Sequence, residues 1–308
     1  MTIAAKRCWL IGSVLGLTML VPPAASAEAM ARAGRVVVLQ TFRAGQFVLD
    51  LAIARCRKSE CPIEVRLRAG NRIVDRVPLP VAAGSQRVRA ASVDAIWGAE
   101  AGLKAWATGH ENDYVATGAR MLQLAPQTAA LLVSQQYGYE HVKRNHLVIL
   151  PRAGKLTIAW KAEEGAGPAW STTQVIDGAG GTQEIVYLNG FYEPEEDGAD
   201  RLDAARLRWE QTSARLLEIA LPAPDRPIYL LDLGTHDTAA QARQARSNLC
   251  LSPYFLVLEA SRFRASEDGK AIVGMLYASR ALAEKAANAA KKCQPDATVS
   301  IMTWIAAP

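Results

Sequence analysis

Apolar side chains recur at every second position along much of the chain between residues 35 and 221. The runs 47–53, 63–67 and 155–160 follow this period. A period of two places one face of a strand in a core and the other in water, which is typical of antiparallel sheets. Turn-forming clusters of Gly, Pro and Asn separate the runs, so the pattern predicts an antiparallel β-sandwich or open barrel over residues 28–221. Further strand-like runs are 72–79, 129–134, 146–150, 184–188, 205–209 and 215–221.

The pattern changes after residue 227, and the new pattern occurs twice. Apolar runs at 228–236 and 271–277 each contain a Gly, and each leads into an Ala-rich, helix-forming stretch. Two more apolar runs, at 254–258 and 298–304, follow the helical stretches. The order strand, helix, strand, strand, helix, strand predicts an α+β module with one sheet and both helices on one face.

The predicted helices have sequence signals at their starts. Thr238 and Gln241 have the spacing of a capping box, and Ser279 can cap the second helix. Before the module lies the proline-rich segment 222–227, which cannot continue a sheet and favours a stiff connector. We therefore predict a multidomain chain in which this connector joins the β domain to a module at 228–308.

Two short motifs place the C-terminal module near a known family. One motif is the end of a strand followed by Gly, Ser and Phe and then by a helix, and residues 231–236, LDLGTH, correspond to it in position. Residues 275–283, MLYASRALA, correspond to a second copy of the motif. These motifs resemble those of the SPOR family, the small sporulation-related-repeat domains of bacterial cell-envelope proteins. The chain departs from the family pattern at Asp232, usually Gln, at His236, usually Phe, and at Met275, usually Gly.

The resemblance implies a partner and a binding surface. SPOR domains bind peptidoglycan glycan strands that lack stem peptides, using the open face of the sheet. Carried over by position, the glycan-binding residues would be Asp232, Thr235, Tyr277, Ser279 and Arg280. An Asp accepts hydrogen bonds from sugar hydroxyls but cannot donate one as Gln does, so weaker binding is expected.

The start of the chain has the features of an export signal. Basic residues at 6–7 precede an apolar run at 9–21, and the small residues 25–27 follow as an A-x-A cleavage site. The apolar run is shorter than the ~20 residues of a membrane-spanning helix. We predict that residues 1–27 are a signal peptide cleaved after Ala27, that no transmembrane segment remains after cleavage, and that the mature protein lies in the periplasm.

The cysteines fit an oxidising compartment. Cys56 and Cys61 flank a short loop between two strand-like runs, which predicts a disulfide that closes a hairpin; a zinc half-site is the less favoured alternative. Because Cys250 follows the first helix and Cys293 ends the second, the antiparallel helices of the predicted topology would hold these two cysteines apart. We predict that Cys250 and Cys293 are not bonded to each other.

Other chemistry in the sequence is weakly specified. His141 and His146 are spaced poorly for a shared metal, and the acidic run 193–203 matches a solvated loop better than a calcium loop. Most aromatic residues fit a core, which leaves Trp170 and Tyr192 for a ligand surface. No catalytic residue, metal site or cofactor is predicted.

The charge and the motifs of the chain limit the classes of function that it can have. The formal net charge of +5 falls to +3 without residues 1–27, since these contain two basic residues and no acidic one before Glu28. That small excess is not a nucleic-acid signature, which would need a clustered basic stripe, so nucleic acid is not an expected partner. Three hypotheses follow: a non-enzymatic envelope protein that binds glycan, a carbohydrate-active enzyme with a targeting module, and a module that binds other envelope proteins without glycan.

Overall fold

The computed structural model describes eleven stretches of the chain. These stretches are residues 36–56, 61–81, 87–91, 114–137, 143–163, 169–191, 198–221, 227–249, 255–264, 267–293 and 299–304. Their strands form four sheets, and nearly all neighbouring strands are antiparallel. The predicted antiparallel β character is therefore confirmed. Residues 1–27, which the sequence predicts to be a signal peptide, and most of the proline-rich connector lie outside the described residues.

The first sheet is a meander of four strands in the order β1-β2-β3-β4. Its strands are β1 (Val37–Ala44), β2 (Phe47–Ile53), β3 (Ile63–Ala69) and β4 (Arg72–Pro78). A disulfide joins Cys56 and Cys61 between β2 and β3, as the spacing predicts. Beside it, the amide of Ala54 donates to the carbonyl of Pro62 at 2.7 Å, so the disulfide closes the end of a hairpin.

The second sheet has five strands in the order β5-β6-β7-β8-β9, and β5 and β6 form its parallel pair. The strands are β5 (Arg87–Ala91), β6 (Tyr114–Ala125), β7 (Thr128–Tyr137), β8 (Lys143–Arg152) and β9 (Lys155–Glu163). Central strand β7 is apolar on both faces. Leu131 and Val133 pack against the first sheet, whereas Ala130 and Leu132 belong to a cluster with the third sheet.

The third sheet is a second meander, in the order β10-β11-β12-β13. Its strands are β10 (Ala169–Asp177), β11 (Gln183–Phe191), β12 (Arg201–Glu210) and β13 (Arg215–Ala220). Ile185 and Leu207 point from this sheet into the cluster shared with the second sheet. Residues on the other face of the third sheet, such as Val186 and Leu188, pack against the C-terminal part of the chain.

The C-terminal part follows the predicted order of strands and helices. Its elements are β14 (Tyr229–His236), α1 (Ala239–Ser247), β15 (Leu256–Glu259), β16 (Ala271–Tyr277), α2 (Arg280–Cys293) and β17 (Ser300–Thr303). The strands form one antiparallel sheet in the order β15-β16-β14-β17. Both helix starts are capped as predicted. The amide of Gln241 donates to Thr238 Oγ1 at 3.2 Å, and the amide of Leu282 donates to Ser279 Oγ at 3.3 Å.

The four sheets form a stack with the helices at one end. One apolar cluster joins the first and second sheets, another joins the second and third, and the largest joins the third sheet, the fourth sheet and the helices. Residues on both sides of the proline-rich connector therefore share a hydrophobic core. Among the described residues, neither helix is long and apolar enough to cross a bilayer.

Candidate functional site

The two faces of the fourth sheet have different neighbours. Leu231 and Ile301 pair across the sheet, and Ile301 lies beside α2, so this is the helix-covered face. Asp232 pairs with Gly274, which pairs with Leu256, and these residues share the opposite face. The resemblance implies that Asp232 lies on the face away from the helices, and its pairing with Gly274 and Leu256 puts it on that face.

That face is not open, which corrects the expectation drawn from the resemblance. A Cβ placed on Gly190 of the third sheet would lie 2.8 Å from Leu256 Cδ1, so the third sheet packs directly on the face that carries Asp232. Gln174 Nε2 donates to the Leu276 carbonyl at 3.1 Å, and Gln174 Oε1 accepts from the Ala278 amide at 2.6 Å. The third sheet covers the face because its own apolar residues need a partner surface.

Asp232 is buried in a polar site of its own. Its side chain accepts hydrogen bonds from the Gly234 amide at 2.8 Å, from Ser300 Oγ at 3.1 Å and from an Arg264 nitrogen at 3.3 Å. Only 6% of the residue is exposed. These bonds connect β14 to β17 and to the segment that follows β15, so the carboxylate acts as a structural acceptor.

Tyr277 is also buried, at 5% exposure, on the helix-covered face. Its hydroxyl donates to Met275 Sδ at 3.2 Å. Burial raises the pKa of the Tyr277 hydroxyl above its ordinary value, because the phenolate would lose its hydration. The tyrosine therefore stays protonated and packed, away from any surface.

The remaining predicted site residues lie at strand and helix ends. Ser279 is occupied as the cap of α2, and Thr235 is partly exposed on β14 beyond a register shift. Arg280 begins α2, is 72% exposed at its side chain, and pairs with Glu284 at 3.0 Å. The five predicted residues are thus split between the interior and the surface, and of these five Arg280 lines a cavity.

That cavity is a groove of about 400 Å³ between α2 and β17. Arg280 lies at the start of the helix and Lys291 in its last turn. The lining of the groove combines a stripe of polar residues on α2 with an apolar floor. The lining residues are Arg280, Glu284, Ala287, Asn288, Lys291, Val299 and Ile301. The helical spacing of the polar stripe was available in the sequence, but the edge strand opposite it was not.

The two edges of the fourth sheet differ. On β15, the Asp200 amide donates to the Val257 carbonyl at 2.6 Å, and the Val257 amide donates to Asp200 Oδ2 at 2.7 Å. Arg246 supports this carboxylate at 3.3 Å. Strand β17 pairs with β14 on its inner side, and within the described part of the chain its outer side has no strand partner.

A buried polar cluster between the second and third sheets was not predicted. His146 Nδ1 lies 2.9 Å from Ser134 Oγ and 3.3 Å from Thr173 Oγ1, while Nε2 lies 3.2 Å from Ser171 Oγ. The ring of Tyr187 meets the imidazole edge-on at 5.8 Å. The residues come from four strands of two sheets, so no local spacing in the sequence reveals them.

The distance between Ser134 and His146 is that of a catalytic Ser–His pair, but these residues are not accessible to a substrate. His146, Ser134 and Ser171 are fully buried. Burial, together with the smaller effect of the nearby positive charge of Arg144, lowers the pKa of His146 to about 3. A neutral, weakly basic imidazole with both nitrogens hydrogen-bonded satisfies the polar groups between two sheets.

Several residues for which the sequence made predictions lie outside the described residues. His141, Cys250 and Tyr192 are among them, and nothing is described of the side chains of Trp170 and Cys293. Within the described stretches, no group of three or more His, Cys, Asp or Glu side chains is arranged to hold a metal ion.

Comparisons with protein-family models, with curated proteins and with solved structures found no match. Functional inference therefore rests on the geometry of the chain itself.

Proposed function

We propose that this chain is a non-enzymatic binding protein of the bacterial cell envelope, and that its SPOR-like module binds another protein instead of glycan. The observation that carries the proposal is the packing of the third sheet on the face that SPOR domains use for glycan. A sugar strand has no access to Asp232 on this face.

Opening the covered face is energetically unfavourable. Leu230, Leu256 and Leu276 are fully buried there. Exposing each of these side chains would cost about 1.5–3 kcal/mol. A glycan that gained a few hydrogen bonds of about 0.5–1.5 kcal/mol each would not offset that cost. A binding role must therefore use a surface that is already accessible, and the groove between α2 and β17 is such a surface.

The buried polar cluster does not favour the enzyme hypothesis. An acyl-transfer enzyme needs a serine that reaches its substrate and a histidine that can take up a proton near neutral pH. Ser134 and His146 are fully buried, and the pKa of His146 is lowered to about 3 by that burial. We assign the cluster a structural role between the sheets.

A second candidate function is the binding of peptidoglycan glycan strands in the same groove. The observation in its favour is the polar lining, in which Arg280 and Asn288 can donate hydrogen bonds and Glu284 can accept them from sugar hydroxyls. Under this alternative Arg280 is a glycan-binding residue, as the family resemblance implies, but Asp232 is not.

Sedimentation with peptidoglycan separates the two candidates. The full mature chain is mixed with amidase-treated sacculi and centrifuged, and a SPOR-domain protein of known glycan binding serves as the positive control. We expect the chain to remain in the supernatant while the control pellets. Saturable pelleting of the chain would overturn protein binding as the function, and its loss in Arg280→Ala would locate the glycan in the groove.

We also propose that the chain is exported to the periplasm and organised as predicted, with a sandwich-like β part at 28–221 and a module at 228–308. The Cys56–Cys61 disulfide supports an oxidising compartment. The proline-rich connector supports the boundary, although the two parts share one core.

The export proposal has a direct test. Mass spectrometry of the protein purified from its native host should give an N-terminus at Glu28 or within about two residues of it, because signal peptidase cuts after the A-x-A site. A mature chain that begins at Met1 or Thr2 would contradict both the export and the periplasmic location.

A further inference from the structure

We propose that the partner is an extended, acidic peptide segment of another protein, which adds as a fifth strand to the outer edge of β17 and places its side chains in the groove beside α2. The proposal rests on the protein-binding function above and specifies its partner. The inference comes from the composition of the edge strand, the length of the groove and the charge of the helix.

Strand β17 is unusual among the edge strands of this molecule. Natural sheets protect exposed edges with charged residues or Pro, because unpaired backbone groups attract other strands. Within the described stretches the four sheets have eight edge strands, and seven of them contain a charged residue, the exception being β17 with the sequence SIMT. The edge strand without a charged side chain therefore lies next to a groove that can accept side chains.

The groove has the length of a short strand. Arg280 and Lys291 are eleven positions apart on α2, which is about 16 Å along the helix axis. An extended strand advances about 3.3 Å per residue, so about five residues span that distance. Alternate side chains of an added strand would face the apolar floor formed by Ala287, Val299 and Ile301. A β-branched side chain at the centre of the segment fits that floor.

The charge of α2 selects the occupant. The helix contains Arg280, Lys285, Lys291 and Lys292 against one acidic residue, Glu284. Glu284 is paired with Arg280, and among the described residues no carboxylate pairs with Lys291, so this end of the groove carries positive charge. An acidic side chain at that end complements the groove. A second copy of this chain, paired through β17, would bring two basic helices together and is disfavoured.

A peptide library tests the charge and the position together. The mature full-length chain is applied to immobilised heptapeptides of alternating Val and Thr that carry one Asp or one Lys at each position in turn. We expect enrichment of Asp at one end of the peptide and exclusion of Lys there. Equal retention of Asp and Lys peptides at all positions would overturn the proposal.

Charge-swapped variants locate the site. The best Asp peptide should bind Lys291→Glu at least about threefold more weakly, since one surface charge pair becomes a like-charge pair. Lys285→Glu is the matched control, because it changes the same net charge on the same helix outside the groove lining. Equal weakening by both variants would mean that the peptide senses net charge and not the groove.

Hydrogen exchange identifies the binding mode. Addition of a strand should slow amide exchange over residues 300–303. Two N-methylated peptides, one for each alternate set of residues, are compared, and the peptide whose methylated amides face β17 should lose binding because its backbone donors are removed. Unchanged exchange, or full binding of both N-methylated peptides, would contradict strand addition. Sedimentation equilibrium supplies a further outcome, since a dimer in which exchange over residues 300–303 is already slow without peptide would assign the edge to a second copy and overturn the proposal. Pelleting with sacculi tests the underlying function separately.

Discussion

At the residue scale, His146 shows how a polar group is kept between two apolar clusters. Three hydroxyl groups surround its two ring nitrogens, and the ring has no exposed area. In the folded protein the imidazole stays neutral because protonation would bury a charge beside Arg144. In the unfolded chain the protonated imidazole is hydrated, so the folded and unfolded states take up the proton at different pH.

This difference predicts a pH dependence of stability. The pKa of His146 is about 3 in the folded state and about 6.5 unfolded, so its contribution is fully present above pH 6.5 and is lost as the pH falls towards 3. The free energy of unfolding should fall by about 1.4 kcal/mol per pH unit well below pH 6.5 from this group. Urea unfolding between pH 7 and 5 measures the slope, and His146→Gln should remove it. An equal slope in the variant would contradict the assignment.

Asp232 is a second polar residue whose burial depends on its hydrogen bonds. Its carboxylate accepts from three donors, one of them an arginine, inside the module. Asp232→Asn keeps the shape but removes the charge and one acceptor, and should lower the free energy of unfolding by about 1–3 kcal/mol. Chemical denaturation measures the change. Asp237→Asn, at an exposed position, is the control and should stay within about 0.5 kcal/mol of the parent.

At the scale of single elements, the alternation of apolar residues in the sequence predicted some strands closely. Strands β2 and β4 begin and end within a residue of the predicted runs. Strand β10 was not predicted, because Ser171, Thr172 and Thr173 are polar and yet all buried. Hydrogen bonds to His146 of the second sheet satisfy the hydroxyls of Ser171 and Thr173, and such bonds between distant segments leave no periodic signal.

The candidate site was predictable only in part for the same reason. Alternation predicted that Leu230 and Asp232 share a face, because a period of two fixes which residues lie together. The family resemblance, and not the pattern, assigned that face to the side away from the helices. Neither gave information on the third sheet that covers this face, since Gly190 and Gln174 lie far away in the sequence. A tertiary contact decided the accessibility of the predicted residues.

Helix α1 offers a test of an element that the sequence did specify. Thr238 accepts a hydrogen bond from the Gln241 amide at the start of the helix. Thr238→Ala should lower the free energy of unfolding by about 1 kcal/mol, because a first-turn amide loses its acceptor. Thermal or urea unfolding measures the loss. Thr212→Ala, in the exposed turn between β12 and β13, is the matched control, and a loss of equal size there would refute the capping explanation.

At the scale of the whole molecule, the contact between the third and fourth sheets determines which surfaces remain available. Gly190 permits this contact, because a Cβ there would approach both δ-carbons of Leu256 within 3 Å. The close approach is a direct consequence of two sheets that pack face to face. It therefore provides a way to test the stack by mutation.

Gly190→Ala should destabilise the protein by about 1–3 kcal/mol through overpacking. Leu256→Val removes both δ-carbons, so Gly190→Ala should cost less in that background than in the parent. Urea unfolding of the four proteins in the double-mutant cycle measures the coupling. Strictly additive effects would show that the two residues do not meet, and the third sheet would then not cover the Asp232 face.

The stack has a consequence for how the molecule is assembled in time. Each sheet is built from one continuous stretch of chain, and the stretches follow one another in the same order as the layers. A chain that emerges amino end first, from a ribosome or an export channel, can complete one layer before the next begins, with mostly local pairings that form quickly. The last layer therefore meets a finished apolar surface as soon as it forms. The hydrophobic face of the C-terminal module need never be presented to solvent during biogenesis.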